Sequence, residues 1–242
     1  MVVPIIVAVC AIAALVHIAP FRFLLDAIHG DAAVWRMPVT GPEKPIYLTF
    51  DDGPNPTATP ELLDLLREKN VRATFFLIDN YVTEATAPLV RRMFEEGHCV
   101  GQHTGRRWLL LRSPSHVADW LNAGARKIER LTGQRQARLF RPHAGWRSEA
   151  MFRGVGRAGY KVVGWSWMSW DWTGLRKRTG ARVAAHLVAH AGPGKIMVIH
   201  DGHHRNPRAN RTYAIEATRR IVDELTVDGY TFETLCGLSS LP

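Results

Sequence analysis

Polar side chains suited to catalysis follow most of the strand-like runs in this sequence. Asp51 and Asp52 come directly after the apolar run 46–50, and His103 follows the run 99–102. The later runs are closed or followed by Arg141, Asp171, His200 and Asp201. Parallel strands bring their carboxyl ends to one rim, where barrel enzymes build their sites, so we expect these groups to converge.

The adjacent carboxylates of Asp51 and Asp52 allow two different roles at such a rim. One carboxylate can bind a metal ion while the other, kept ionised by a neighbouring cation, takes a proton from water. This division of roles predicts hydrolysis as the reaction class.

The elements that must position these residues alternate as short β-rich runs and longer amphipathic segments. In the segment 60–70, for example, four leucines form an apolar face and Pro60 suits the first helical turn. Such alternation predicts an α/β fold, a distorted (β/α) barrel with about seven parallel strands, and the alternative is a doubly wound sheet. The predicted strands are 46–50, 73–78, 99–102, 138–141, 161–167, 196–199 and 232–235.

The first 43 residues differ in composition from the rest of the chain. Residues 2–19 carry no charged side chain, which just reaches the length of a membrane-spanning helix. Because no basic region precedes this stretch, an uncleaved anchor is favoured over a secretory signal. We therefore predict a transmembrane segment at 1–20, a Pro- and Gly-containing linker at 21–43 and one catalytic domain at 44–242.

Charge and local motifs limit the partners. The chain has 31 basic and 22 acidic residues, a net charge of +9, which favours an anionic partner such as a phospholipid surface or an acidic polymer. The basic clusters contain no nucleic-acid-binding motif, so no nucleic acid partner is expected. Gly154, Gly156 and Gly159 spell GxGxxG but precede a strand, which argues against a nucleotide cofactor. Three widely spaced cysteines indicate neither a zinc knuckle nor a disulfide framework.

Five motifs together resemble one known family, the polysaccharide deacetylases (NodB homology domain, carbohydrate esterase family 4). They are TFDDG at 49–53, HT at 103–104, FRPHAG at 140–145, WDW at 170–172 and IMVIHDG at 196–202. The resemblance covers about residues 44 to 236. It implies hydrolytic removal of acetyl groups from an N-acetylated sugar of a cell-envelope glycan, by a domain outside the cytoplasm.

The resemblance also implies a role for each matching residue. Asp51 would be the general base, and Asp52 and His103 would bind a divalent metal, usually zinc. Arg141 would orient Asp51 and keep it ionised. His200 would be the general acid, tuned by Asp171. The backbone N–H near Ala144 would line an oxyanion hole, for which a main-chain donor suffices.

One position departs from the family pattern. The second metal-binding histidine of the family lies four residues after the first, and that position is Arg107 here. An arginine has no free acceptor and cannot bind a metal. Three interpretations stay open: a substitute ligand from His143, His203 or His204, a metal-free or weakened hydrolase in which Arg107 supplies the positive charge, or an inactive domain that binds glycans.

Four tryptophans lie close together near the WDW motif. The alternate spacing of Trp165 and Trp167 predicts that both pack on one strand face, which leaves Trp170 or Trp172 to contact a sugar ring. A hydrolase of a small non-sugar amide is a further alternative. A polymer-acting enzyme is expected to have an open groove and to prefer longer oligomers.

Overall fold

The computed structural model describes Pro4 and residues 33–105, 107–168 and 179–240. This part of the chain contains nine β-strands. The strands are β1 (Ala33–Val34), β2 (Lys44–Gly53), β3 (Thr74–Ile78), β4 (Cys99–His103), β5 (Leu139–Arg141), β6 (Lys161–Val163), β7 (Trp167–Met168), β8 (Ile196–His200) and β9 (Tyr230–Phe232).

Helices connect most of these strands, as the alternation predicts. The α-helices are α1 (Thr59–Glu68), α2 (Ala87–Glu95), α3 (Pro114–Thr132), α4 (Glu149–Arg157), α5 (Gly180–Ala189) and α6 (Thr212–Val227). Local sequence sets their ends: the side chain of Ser113 caps α3, and Gly133, at a φ of 74°, ends it. Leucines 62, 63, 65 and 66 of α1 are all buried against the sheet.

The sheet is parallel and curls into a distorted half-barrel, which confirms the α/β barrel class. Its order is β1-β6-β5-β4-β3-β2-β8-β7, and β9 pairs separately with β2. The register places Asp51 beside His200 on β8, and His103 beside Arg141 on β5. The carboxyl ends of the central strands therefore meet at one rim.

The stretch predicted as one strand at 161–167 is divided in two. It breaks after Val163, and at the break Gly164 packs so closely on Trp35 that any side chain there would overlap the indole. Trp165 is buried and packs edge-to-face on Trp35 at 6.1 Å, as predicted. The prediction that Trp167 packs on the same face is wrong: it restarts the sheet as part of β7, is exposed and contacts the ring of His190.

The two ends of the described domain also differ from the predicted strands. β1 lies within the stretch predicted as a linker and pairs with β6. The last strand is Tyr230–Phe232 instead of 232–235, and it pairs with the beginning of β2. Leu235 and Leu238 then enter the core at the end of the barrel opposite the rim.

A disulfide bond joins Cys99 to Cys236, with 5.5 Å between their Cα atoms. The spacing of the cysteines indicates no disulfide framework, so this single bond is a finding of the structure. The sequence hides the pair because the two residues are 137 positions apart and only the fold brings them together. The bond fastens the C-terminal 3-10 segment (Leu235–Ser240) to the first residue of β4.

Within the described residues, the structure has no helix that combines the length and the apolar character needed to cross a bilayer. The predicted membrane segment, 1–20, lies outside them except for Pro4.

Candidate active and metal site

Asp51 and Asp52 lie at the carboxyl end of β2, the most central strand of the site. Both are buried, and the register with β3 shifts between Asp51 and Gly53. Asp52 has a φ of 70°, a left-handed conformation that aspartate tolerates better than most residues. The irregularity gives the two neighbouring carboxylates different surroundings.

Arg141 lies directly behind Asp51. Its guanidinium donates hydrogen bonds of 2.7 Å to Asp51 Oδ1, 2.7 Å to Thr49 Oγ1 and 2.9 Å to the carbonyl of Gly164. The ring of Phe76 covers it, with its centroid 4.0 Å from Cζ. Arg141 therefore neutralises the charge of Asp51 and fixes its carboxylate.

His103 turns towards Asp52 and is oriented by the neighbouring strand. Its Nδ1 lies 2.8 Å from the backbone carbonyl of Arg141. A carbonyl only accepts, so Nδ1 carries the proton and Nε2 of the neutral ring is an acceptor. This acceptor lies 3.3 Å from Oδ1 of Asp52, which makes no hydrogen bond within the described part of the chain. Two acceptors this close require a cation between them, either a proton or a metal ion.

The electrostatics of Asp52 favour the same conclusion. Burial alone raises the pKa of this carboxyl, but His103 and the nearby rings of His200 and His143 outweigh burial, and the net pKa lies below its usual range. The side chain is therefore a carboxylate at neutral pH. A buried carboxylate facing imidazoles is a donor set that divalent metal ions bind well.

His143 completes this donor set. It begins a 3-10 turn (His143–Gly145) directly after β5 and is buried. One ligand atom each from Asp52, His103 and His143 lie within 4.8 Å of one another. These residues come from the ends of three strands, and their nitrogen and oxygen donors suit a divalent ion. The residues present thus fit a metal site in which His143 is the third protein ligand.

The three donors open into one cavity. It is lined by Asp51, Asp52, His103, His143, Ala144, Trp165, Met168, Val198, His200, His203 and His204. Ala144 is held at a φ of 51° in the turn after His143. His200 closes the wall next to Asp51, its partner in the strand register.

The loop after β8 (residues 201–211) packs against the backbone at Asp52 and Gly53, which we call the Asp52 turn. A Cβ atom at Gly202 would overlap the backbone carbonyl of Asp52, so the two loops are in close contact. Thr59 donates a 2.6 Å hydrogen bond to Asp201 Oδ2, and Asn55 donates a 2.9 Å bond to the Asp201 carbonyl. Burial, with the charges of Asp52 and Asp51, raises the pKa of Asp201 to about 7 against the opposing effects of Thr59 and Arg211.

The structure brings together most of the predicted site residues. Asp51, Asp52, His103, Ala144 and His200 line one cavity, and Arg141 lies behind it. Asp171, Trp170 and Trp172 fall outside the described residues, as does the side chain of Arg107. Of the three candidate substitute ligands, His143 joins the donor set, while His203 and His204 line the cavity.

The sequence patterns do not predict the functional role of two groups of residues. Trp165, predicted only to pack, also lines the cavity with Met168 and Val198. Asn55 and Thr59, which appear in the sequence as ordinary turn residues, hold the loop after β8 against the Asp52 turn. No local signal marks them because their partners lie more than 140 residues away.

Comparison with known proteins gives a consistent set of relatives. The sequence profile described as polysaccharide deacetylase matches residues 39–163. The chain is 34% identical over 207 residues to a peptidoglycan-N-acetylglucosamine deacetylase of Bacillus cereus, covering 84% of this chain and 91% of that protein. It is 37% identical over 178 residues to a chitooligosaccharide deacetylase of Bradyrhizobium sp., covering 72% and 77%.

A solved structure is also similar to this chain, in sequence and in fold. The family 4 acetyl xylan esterase from Clostridium thermocellum, in complex with a cobalt ion, superposes with a TM-score of 0.71 at 30% identity and covers 81% of this chain and 90% of that one. By its motifs, its curled parallel sheet and these relatives, the chain belongs to the polysaccharide deacetylase family.

Proposed function

We propose that this protein hydrolyses the N-acetyl groups of a cell-envelope polysaccharide, releasing acetate and leaving a free amine on the sugar. The observation that carries the proposal is the convergence of Asp52, His103 and His143 in one cavity, beside the buried Asp51–Arg141 pair. A module that only binds glycans has no need for this combination of a metal donor set and a paired carboxylate.

The chain's own residues can perform each proton transfer of this reaction. Asp51 takes a proton from the attacking water, whose oxygen forms a bond to the acetyl carbon. His200 gives a proton to the sugar nitrogen as the carbon–nitrogen bond breaks. The N–H near Ala144 donates to the developing oxyanion. We assign Asp171 to tuning His200, and Trp172 to contact with the sugar.

A divalent metal, for which we propose zinc, would be held by Asp52, His103 and His143. When bound, such an ion polarises a carbonyl and lowers the pKa of water. Nitrogen and oxygen donors from three protein residues are the usual set of a catalytic zinc site. His143 thus compensates for the arginine at position 107, where the family has its second histidine.

The proposal is tested with the purified full-length chain. Acetate release is measured on N-acetylglucosamine oligomers, and metal content by elemental analysis, before and after treatment with a chelator. We expect one bound ion per chain and release that stops on chelation and returns with zinc. Asp51→Asn is expected to retain the metal and lose the activity, which separates the general base from metal binding.

Two other results would replace the proposal. Release from a small N-acetylated amine but not from oligomers would identify a hydrolase of small amides. Binding of oligomers without release, even with added zinc, would identify an inactive glycan-binding domain.

We further propose that residues 1–20 anchor the protein in a membrane and that the domain lies outside the cytoplasm. The Cys99–Cys236 bond supports this location, because disulfides persist mainly in oxidising compartments. The test is the reaction of intact cells with a membrane-impermeant protease. Degradation of the domain in intact cells is expected, and protection until the cells are lysed would contradict the assignment.

A further inference from the structure

An open groove lies next to the active-site cavity. Its lining residues are Gly105, Trp108, Leu109, Arg112, His116, Trp120, His204 and Arg205, and we call it the Trp108 groove. His204 lines both the groove and the cavity, and its ring lies 4.6 Å from that of His143. A polymer that places one acetyl group in the cavity can therefore continue directly into the groove.

Trp108 presents an aromatic face to this groove. Its side chain is 72% exposed, whereas the next residue, Leu109, is 5% exposed and packs with Val117 and Phe140. The 3-10 segment that carries them (Arg107–Leu111) is thus fastened to the core by Leu109, and the exposure of Trp108 is a feature of the folded surface. A large exposed aromatic at the edge of a cavity marks a binding surface.

The charge around Trp108 is positive. Arg112, Arg205 and His116 border the groove, and none of the described residues that line it is acidic. Within the described chain, neither the Arg112 nor the Arg205 guanidinium takes part in an ion pair or a side-chain hydrogen bond. Both guanidinium groups can therefore pair with a ligand. A guanidinium is planar and matches the geometry of a carboxylate.

We propose that the Trp108 groove binds an acidic stretch of the substrate, so that the preferred substrate is an N-acetylated glycan with carboxylate substituents and not a neutral one. A sugar ring stacks on Trp108, and the carboxylate pairs with Arg112 and Arg205. The inference rests on the proposed function and specifies its substrate class. The net charge of +9 adds long-range attraction for such a polymer.

The test compares two oligomers of equal length with the full-length chain. One is a neutral N-acetylglucosamine oligomer, and in the other alternate N-acetylated sugars carry a free carboxylate. Dissociation constants are measured by calorimetry, and kcat and KM by acetate release, at low and high salt. We expect the acidic oligomer to have the lower Kd and KM, by up to about fivefold for each exposed charge pair, with the advantage shrinking in high salt.

Three variants assign the effect to the groove. Arg112→Gln with Arg205→Gln should raise Kd and KM for the acidic oligomer towards the values for the neutral one, which removes the preference. Trp108→Ala should raise KM for both oligomers with little change in kcat. Arg208→Gln, an exposed arginine on the same loop as Arg205 but outside the groove, is the control and should behave as the wild type.

The outcomes separate this inference from the proposed function. Equal Kd values for the two oligomers, or a preference that survives the double arginine substitution, would overturn the groove assignment while leaving deacetylation intact. If neither oligomer releases acetate, the proposed function fails, and the calorimetric comparison still decides whether the groove selects acidic glycans.

Discussion

Arg141 donates a 2.7 Å hydrogen bond to Asp51 while the two side chains are 0% and 3% exposed. The pair is therefore buried, and three further hydrogen bonds run from the guanidinium to Thr49 and to the carbonyls of Val163 and Gly164. One buried cation thus fixes the general base proposed above and also joins β5 to β2 and to the turn after β6.

Breaking this pair is expected to destabilise the fold. Arg141→Met leaves an unpaired buried carboxylate, so we expect a loss of about 3–5 kcal/mol in the free energy of unfolding. Adding Asp51→Asn should recover part of that loss, because the uncompensated charge is then gone. Urea denaturation of the two single variants and the double variant measures the coupling. Purely additive losses would show that the two side chains do not interact.

His143 is expected to be a metal ligand. Its replacement by alanine should weaken metal binding by more than about 100-fold, since loss of a direct ligand exceeds the effect of losing a supporting residue. The matched control is His203→Ala, in the same cavity but outside the donor set. Competition with a chelating dye measures both affinities. Loss of binding in the control, with retention in His143→Ala, would assign the third ligand to His203.

Gly202 is expected to be required for the shape of the metal site. A methyl group there would overlap the Asp52 carbonyl, so Gly202→Ala should displace that loop and weaken metal binding. Gly156→Ala is the control, because a Cβ at this helical position meets nothing within 4 Å. We expect the control to be neutral or stabilising by up to about 1 kcal/mol. Unchanged metal affinity in Gly202→Ala would mean that the two loops can separate without cost.

His98 is expected to make stability depend on pH, far from the active site. Burial lowers its pKa from 6.5 to about 4, against the opposing effect of Glu96, and its Nδ1 accepts a 3.2 Å hydrogen bond from the N–H of Ala73. The unfolded chain therefore binds this proton more readily. The contribution of His98 is fully present above pH 6.5 and is lost as the pH falls towards 4.

The expected loss over that range is about 3 kcal/mol. His98→Asn keeps an acceptor for Ala73 but cannot be protonated, so its stability should vary less between pH 6.5 and 4. Unfolding curves at several pH values for the two proteins measure the difference. Parallel profiles would rule out His98 as the titrating group.

The sequence was most informative where function depends on residues at strand ends. Asp51, Asp52, His103 and His200 were predictable because strand periodicity sets where each strand stops, and parallel strands stop at one rim. For the third metal ligand the sequence indicates only three candidate histidines, His143, His203 and His204, because the choice among them depends on the path of two loops. That path is set by contacts such as Gly202 on Asp52, which have no sequence signature.

Local sequence patterns are least informative where distant parts of the chain meet. Cys99 and Cys236 carry no spacing motif, and their pairing requires the C-terminal segment to fold under the barrel. The spacing of Trp165 and Trp167 predicts that both lie on one strand, but β6 ends at Val163 and Trp167 belongs to β7, which pairs with β8. Both outcomes depend on contacts between distant parts of the chain.

The orientation of His103 has a consequence for how this family can change its sequence. The ring is aimed by the main-chain carbonyl at position 141, an atom that every amino acid possesses. No point mutation can delete that acceptor. The direction of the imidazole is therefore set by strand pairing and does not depend on which side chain stands at position 141. A ligand of this kind can stay fixed while another is exchanged between loops of the same rim.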